Sequence, residues 1–407
     1  MKKSFGRGIA AGLLFALFVS TIVACSLPDN ENKLTDITSG VINPATSLDS
    51  EAYKTKLSKI MGVLEKYYMD EIDYDKAMEG IYAGMVNSLG DPYTVYFTAS
   101  EYKNFADSTN GNYAGLGSTV TTNADGNPEF VKPFKGAPAY KAGIVPGDVL
   151  CEVDGENVLG MELEAVVAKI KGPAGTQVHV KIYRKSINDY LEMTIVREKV
   201  EVPTVEYQML DNKIGYIAVS SFDQVTEKQF LDAVDDLESK GMKALLVDLR
   251  DNPGGMLTTV CGMLSRFVPK GDLLVYMETK DGKQTSYNST SSKTLNVPMA
   301  VLINGNSASA SEVFCGCMQD YGLATLIGTK SFGKGIVQSL IPLGDGSAVK
   351  VTTSKYYSPK GRNIHKVGFE PDILVELSPE LAGKASIEIE EDNQIQAAVE
   401  YLIGEMK

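Results

Sequence analysis

The sequence predicts an α/β protein with a compact β-rich insertion and a helical N-terminal region. Three observations carry this. From residue 200 onward, continuous apolar stretches such as KALLVDL and VPMAVLING alternate with amphipathic ones such as TEKQFLDAVDDLESKG, the pattern of strands covered on both faces by helices. Between 110 and 199 the pattern shortens to strands and turns, with Val178, Val180 and Ile182 of QVHVKIYR falling on one face. Earlier, Leu57, Ile60, Met61, Leu64 and Tyr68, then Met78, Ile81, Tyr82, Met85 and Leu89, recur at helical spacing.

In chain order, residues 1–24 read as an export signal: three positive charges precede an apolar run from Ile9 to Ala24. IVAC, ending at Cys25, resembles the lipoprotein signal in which that cysteine is lipidated and becomes the new N-terminus. An uncleaved anchor or plain cleavage is the alternative, and every version puts the remainder outside the cytoplasm. Residues 25–47 are polar and aperiodic, as in a tether. The helical region spans 48–109, and its second helix ends where Gly90 and Pro92 interrupt SLGDPYTVYF. The β-rich domain covers 110–199, with a short helix at LEAVVAKIKG, and the α/β domain 200–380. Two strands surround the Asp-Gly turn of IPLGDGSAVKVTTSKYY, and 381–407 reads as an acidic helical tail.

The net charge of −13 argues against nucleic-acid binding. Cys151, Cys261, Cys315 and Cys317 lack metal-ligand spacing and read as small buried hydrophobes. The two histidines, His179 on the polar side of a strand and His365 in a turn, have no evident partners. A serine-histidine hydrolase and a histidine metal site are both poorly supported, and no cofactor is implied. A hydrolase built on this chain needs another base, and lysine is the main option.

The segment NGNSASASEVF, 304–314, holds Ser307, Ser309 and Ser311. Ser309 to Glu312 fits a capping box, so one reading is structural: a strand turns into a helix at Ser309. The same position suits a nucleophile, because helix N-termini leave amides unpaired and favour negative charge. The Ala310 amide would then face a developing oxyanion, with a second donor from the glycines of DLRDNPGG at 248–255. A base candidate lies in SFGKGIVQ, where Lys334 sits between glycines and Gln338 follows at a spacing of four. The Gln amide oxygen can orient the amine without adding charge, whereas a carboxylate would hold it protonated. Lysine has an ordinary pKa of about 10.4, so a base for neutral pH needs on the order of 4 kcal/mol of ammonium destabilisation. The plain alternative is a solvated loop lysine.

Together these motifs resemble the carboxyl-terminal processing proteases, the tail-specific serine peptidases. The resemblance covers about residues 50–377 and rests on GMVNSLGDPYTVYF, GAPAYKAGIVPGDVLCEVDGENV, LLVDLRDNPGG, SASASE, SFGKGIVQ and DGSAVKVTTSKYYSPKGRNIHKVGFEPD in that order. It implies a crotonase/ClpP-like protease core with an inserted PDZ domain. It implies Ser309 as nucleophile, Lys334 as base supported by Gln338, and an oxyanion hole from Ala310 and a glycine of NPGG, Gly255 in preference to Gly254. AGLGS, 114–118, stands where PDZ domains grip a free C-terminus, with Leu116 and Gly117 supplying amides. Lys171 stands where relatives often carry Arg, so coupling of that position to the active site is not carried over. The resemblance further implies protein or peptide substrates, an acyl-enzyme mechanism and possible homodimers through the terminal helical regions. A surface-anchored PDZ scaffold that binds without cutting is the alternative that intact Ser309, Lys334 and Gln338 disfavour.

Overall fold

The computed structural model describes residues 51–109, 114–381, 384 and 387–406. The signal, Cys25 and the tether lie outside them. Two units result: residues 51–102 with 338–352, and residues 103–337 with 353 onward.

The first unit opens with α1 (Glu51–Tyr67) and α2 (Tyr74–Asn87). Asp73 caps α2 by accepting from Lys76 N at 3.0 Å. The helical spacing read from the sequence is present, but α1 buries no residue and α2 buries only Val86. The apolar stripes of Leu57, Ile60, Tyr82 and Met85 stay on the surface. β1 (Val95–Phe97) pairs antiparallel with residues 348–350, and α3 (Ala99–Thr109) leads out of the unit.

The β-rich domain runs through β2 (Ala114–Gly115), β3 (Ser118–Thr122), β4 (Pro128–Pro133), α4 (Pro138–Lys141), β5 (Asp148–Val153), β6 (Glu156–Asn157), α5 (Leu163–Ile170), β7 (Gln177–Arg184), β8 (Asp189–Val196) and β9 (Glu198–Lys199). Its sheet has the order β3-β4-β5-β7-β8, leaving β3 at an edge, and β2 pairs with β9. Val178, Val180 and Ile182 point into its core with Phe130 and Leu150. Arg197 closes the end of α5: its guanidinium donates to the carbonyls of Lys169 and Ile170, both at 2.9 Å. A cation at a helix C-terminus meets the negative end of the dipole there.

The α/β domain contains β10 (Val205–Met209), β11 (Ile214–Val219), α6 (Thr226–Ser239), β12 (Ala244–Asp248), α7 (Leu257–Leu264), β13 (Leu273–Thr279), β14 (Gln284–Asn288), β15 (Met299–Ile303), α8 (Ala310–Tyr321) and β16 (Thr325–Gly328). β17 (Ile336–Pro342), β18 (Ala348–Tyr357), β19 (Ile373–Leu374) and α9 (Asn393–Glu405) follow. The main sheet has the order β10-β11-β12-β15-β16-β19 and is parallel from β11 on. Alternation divides each strand between two cores. Leu245, Val247, Val301 and Ile303 pack with α6, α7 and α8, whereas Ala244, Leu246, Ala300 and Leu302 pack with α9.

The tail read as an acidic helix starts later than expected, at Asn393, and carries Ile395, Ala398 and Leu402 into this second core. Its N-cap Asp392 accepts from Gln394 N and Ile395 N. Asp392 also meets Arg250 at 2.8 Å, and Arg250 is bound to Asp248 at the end of β12. Burial alone would pull the Arg250 pKa down; Asp248 and Asp392 outweigh it and hold it above the ordinary arginine value. Asp392→Ala removes a helix cap and one of the two carboxylates that the buried Arg250 pairs with. It should destabilise the protein by about 3 kcal/mol, read as a lowered urea midpoint with unchanged m.

Candidate active site

Adjacent parallel strands place three loops side by side, because β12, β15 and β16 all end on the same edge of the sheet. Their C-terminal ends lead into NPGG, the serine turn and the lysine loop respectively. In open α/β sheets this is the edge where binding crevices form.

At the end of β15 the chain turns sharply into α8. Ser309 holds φ 57° and ψ −113°, a backbone state that non-glycine residues seldom adopt. Such strain costs on the order of 1–3 kcal/mol and needs surroundings that fix it. The flanking serines supply part of that. Ser307 Oγ donates to Leu249 O at 2.7 Å, and Ser311 Oγ donates to Asn252 O at 2.9 Å. Both therefore stitch the serine turn to the loop after β12. Asn252, fully buried, continues the seam by accepting Ala308 N at its carbonyl and Gly254 N at its side chain.

Gly254 and Gly255 are required for different reasons. A Cβ on Gly254 would lie 2.8 Å from Ser309 Cβ and 2.9 Å from Ala310 N, so this turn touches the serine directly. A Cβ on Gly255 would strike the Phe222 backbone at 2.4 Å. The Gly254 amide is engaged by Asn252 Oδ1 at 2.8 Å. No acceptor among the described residues takes the amides of Gly255 or Ala310.

The lysine loop is tied to the serine turn through Glu312, whose side chain is completely buried. Its Oε2 accepts Ser309 N at 2.9 Å and Lys334 N at 2.8 Å. Its Oε1 accepts Ser331 Oγ at 2.6 Å and Gly333 N at 2.7 Å. Burial raises this carboxyl above the ordinary glutamate value, and the four hydrogen bonds offset only part of that rise. The Tyr356 hydroxyl adds a second clasp, reaching the Ser309 carbonyl at 2.9 Å and the Lys334 carbonyl as well. Ser309 and Lys334 are thus brought together through their backbones, and both are buried.

The glycines around Lys334 serve backbone packing. A Cβ on Gly335 would lie 2.6 Å from His365 N, and one on Gly333 3.0 Å from Gly368 N. They let the 364–369 turn lie against the lysine loop, with Lys366 N donating to Gly333 O. His365 is half-buried in that turn, and His179 is exposed on β7 as expected, with Thr194 Oγ1 at 2.8 Å from Nδ1. Gln338 lies on β17 in the other unit and is buried there. The sequence pointed to Glu312 only as a capping partner, and to Tyr356 and Asn252 not at all, though Asn252 sits inside the quoted NPGG motif.

In the β-rich domain Leu116 and Gly117 form the bend before the edge strand β3. Their carbonyls accept Ala139 N at 2.7 Å and Phe134 N at 2.9 Å. Their own amides meet no acceptor among the described residues. Gly117 has φ 71°, and a Cβ there would lie 2.4 Å from Ala137 Cβ, so only glycine fits. Lys171 is the C-cap of α5. Cys151, Cys261, Cys315 and Cys317 are all buried free thiols, as read from the sequence. Among the described residues no cluster of His, Cys, Asp and Glu has the arrangement of a metal site.

A family model described as peptidase family S41 matches residues 213–375, and one for the PDZ domain matches residues 133–184. A third, described as the activating protease CtpB N-terminal domain, matches residues 23–100. The chain is 37% identical over 338 residues to carboxy-terminal processing protease CtpB of Bacillus subtilis (strain 168), an alignment covering 82% of this chain and 70% of that protein. It is 34% identical over 365 residues to CtpA of the same organism, covering 90% and 77% respectively. Among solved structures it is similar to a photosystem II D1 C-terminal processing protease, with 27% identity, a TM-score of 0.50 and 83% of this chain and 90% of that one covered.

Two substitutions probe the strained turn and its clasp. Ser309→Gly should be more stable than Ser309→Ala by about 1 kcal/mol, because only glycine relieves the positive φ; paired thermal melts measure the difference. Glu312→Gln sets an amide donor against donors already in place. It should cost about 2–4 kcal/mol in chemical denaturation and remove most activity of the folded fraction.

Proposed function

The chain belongs to peptidase family S41 and is a serine-type carboxy-terminal processing protease with a PDZ domain; on that premise we propose that Ser309 is its nucleophile and Lys334 its general base. The observation that carries this is the shared Glu312 oxygen, which holds the amides of both residues in one buried cluster. The Ser309 hydroxyl proton passes to neutral Lys334 as Oγ attacks the scissile carbonyl carbon. The resulting oxyanion accepts hydrogen bonds from Ala310 N and Gly255 N, which meet no acceptor among the described residues, and this supports the assignment. Collapse breaks the C–N bond, and Lys334 returns the proton to the leaving amine. Water then gives a proton to Lys334 as it attacks the Ser309 ester; the acyl C–O bond breaks, the acid leaves, and Lys334 passes that proton to Oγ, restoring the hydroxyl and the neutral amine. Gln338 steadies the lysine amine through its amide oxygen, a role supported by its spacing of four from Lys334 in the SFGKGIVQ motif.

The substrate's free C-terminus docks in the PDZ domain. The open amides of Leu116 and Gly117 suit a terminal carboxylate, and the free edge of β3 suits an added peptide strand. The parallel sheet flanked by helices supports reading the protease core as crotonase/ClpP-like. The enzyme works outside the cytoplasm, held to the outer face of a bacterial membrane through lipidated Cys25. The basic and apolar leader before that cysteine supports this. The exposed stripes of α1 and α2 suit a homodimer.

Ser309→Ala and Lys334→Ala should each lower kcat on an unfolded protein substrate by about 10⁴-fold or more, with native circular dichroism. Neither should weaken binding of a peptide with a free C-terminus. Full turnover in the serine variant would refute the assignment. Mass spectrometry of membrane proteins from cells carrying Ser309→Ala should reveal the substrates as proteins that keep longer C-termini.

A further inference from the structure

From Asp251 to Met256, between β12 and α7, the backbone amides can be followed one by one. Asp251 N donates to Asn304 Oδ1 at 3.0 Å, and Asn252 N donates to Leu249 O at 3.3 Å. Pro253 has no amide proton. Gly254 N donates to Asn252 Oδ1 at 2.8 Å, and Met256 N donates to Phe222 O at 2.7 Å. The Gly255 proton alone in this stretch meets no acceptor among the described residues. All of these residues belong to one unit.

Two contacts aim that proton. The Gly254–Gly255 peptide is trans and planar, so its carbonyl and its amide point to opposite sides. Phe222 N donates to the Gly254 carbonyl at 2.9 Å, which turns the Gly255 N–H away from Phe222. The other contact is Asn252, which is fully buried. Its side chain faces one donor and one acceptor: Oδ1 takes Gly254 N, and Nδ2 donates at 2.8 Å to Val219 O at the end of β11. A carboxamide satisfies both partners. A carboxylate would set an oxygen against the Val219 carbonyl, and a leucine would leave both groups unpaired. The backbone of the same residue carries the serine turn, because Asn252 O accepts Ala308 N at 3.0 Å and Ser311 Oγ at 2.9 Å.

We propose that Asn252 is the positioning residue of the oxyanion hole. By taking the Gly254 proton it removes that amide from competition. Its anchor on Val219 fixes the glycine turn, so the Gly255 N–H is the one proton of the turn left for an oxyanion. The tolerance is small, since a Cβ on Gly254 would lie 2.8 Å from Ser309 Cβ and 2.9 Å from Ala310 N. A slight rotation of the turn therefore changes which amide faces the nucleophile. The Asn252 carbonyl meanwhile holds Ala308 and Ser311, on either side of the segment that presents the Ala310 amide. One residue thus sets both donors without touching substrate. This rests on the reading of Ala310 and Gly255 as the oxyanion donors.

The test uses the full chain with three probes: a fluorogenic peptide spanning a cleavage site mapped in unfolded casein, and the aldehyde and the alcohol of the peptide ending at that site. With the aldehyde, Ser309 Oγ bonds to the carbonyl carbon, its proton passes to Lys334, and the carbonyl oxygen becomes an oxyanion in the hole. The alcohol cannot form this adduct, so the difference in affinity reads the hole. Asn252→Ala should lower kcat by roughly 10–100-fold at unchanged KM, short of the about 10²–10³-fold for deleting a donor outright. Aldehyde affinity should fall by the same factor while alcohol affinity holds. The acid limb of the kcat profile should stay in place, because Lys334 keeps its surroundings, whereas a loosened site would move it. Asn252→Ser keeps an oxygen able to accept Gly254 N but loses the anchor on Val219, and should fall between wild type and alanine on both measures. If Asn252→Ala does not fold, the serine variant decides: matched losses of kcat and aldehyde affinity support the role, and wild-type values overturn it. Unchanged kcat in Asn252→Ala, loss of kcat with undiminished aldehyde affinity, or a displaced acid limb would overturn the role of Asn252 alone. A wild-type enzyme that binds the aldehyde no tighter than the alcohol would overturn the oxyanion reading as well.

Discussion

The site depends on one buried carboxylate. Glu312 is surrounded by four donors from segments that the chain brings together only in the fold: the serine turn, Ser331, Gly333 and Lys334. Each donor buried without an acceptor would cost on the order of 1–3 kcal/mol. A carboxylate is the one common side chain with lone pairs enough for all four. Burial works against its charge and the hydrogen bonds work for it, so the cluster is stable only when complete. Completeness is what lets the Ser309 backbone remain at positive φ. The strain is held by contacts on both sides: Glu312 toward the lysine loop, Ser307 and Ser311 toward the loop after β12.

The sheet sets up that arrangement before any side chain acts. Parallel strands release their chains at one edge, so loops distant in sequence become neighbours when their strands are. β12 and β15 are separated in sequence by α7, β13 and β14 yet adjacent in the sheet. The C-terminal helix reinforces the same edge. Its cap Asp392 shares Arg250 with Asp248, where β12 gives way to the NPGG turn. A helix read from sequence as a tail is therefore a wall of the core, and its first turn steadies the loop that carries Gly254 and Gly255.

What the sequence disclosed follows the range of the interactions. α6 and β12 were legible because each presents an unbroken local pattern, and Phe230, Ala233, Val234 and Leu237 are buried as spaced. β13, β14 and the eight-residue α7 were not singled out. β14 is mostly exposed and α7 is too short to show a period. The motifs drew attention to Ser309 and Lys334 but not to what the glycines beside the lysine pack against. Their purpose is fixed by His365 and Gly368, thirty or more residues away. A bond such as that from Thr352 Oγ1 to Asp91 is beyond any local pattern, since neither residue is unusual in its own neighbourhood.

The distribution of charge around Lys334 bears on its proposed role as the base. A carboxylate that paired with its amine would keep it protonated and idle. Glu312 lies close enough to bind the Lys334 backbone, yet both of its oxygens are already filled by amides and Ser331. It therefore organises the lysine loop through backbone and hydroxyl protons. The group we propose for the amine itself, Gln338, is a neutral amide. Glu312 does its positioning through backbone and hydroxyl protons, so the loop of the proposed base is held in place without a carboxylate being spent on the amine.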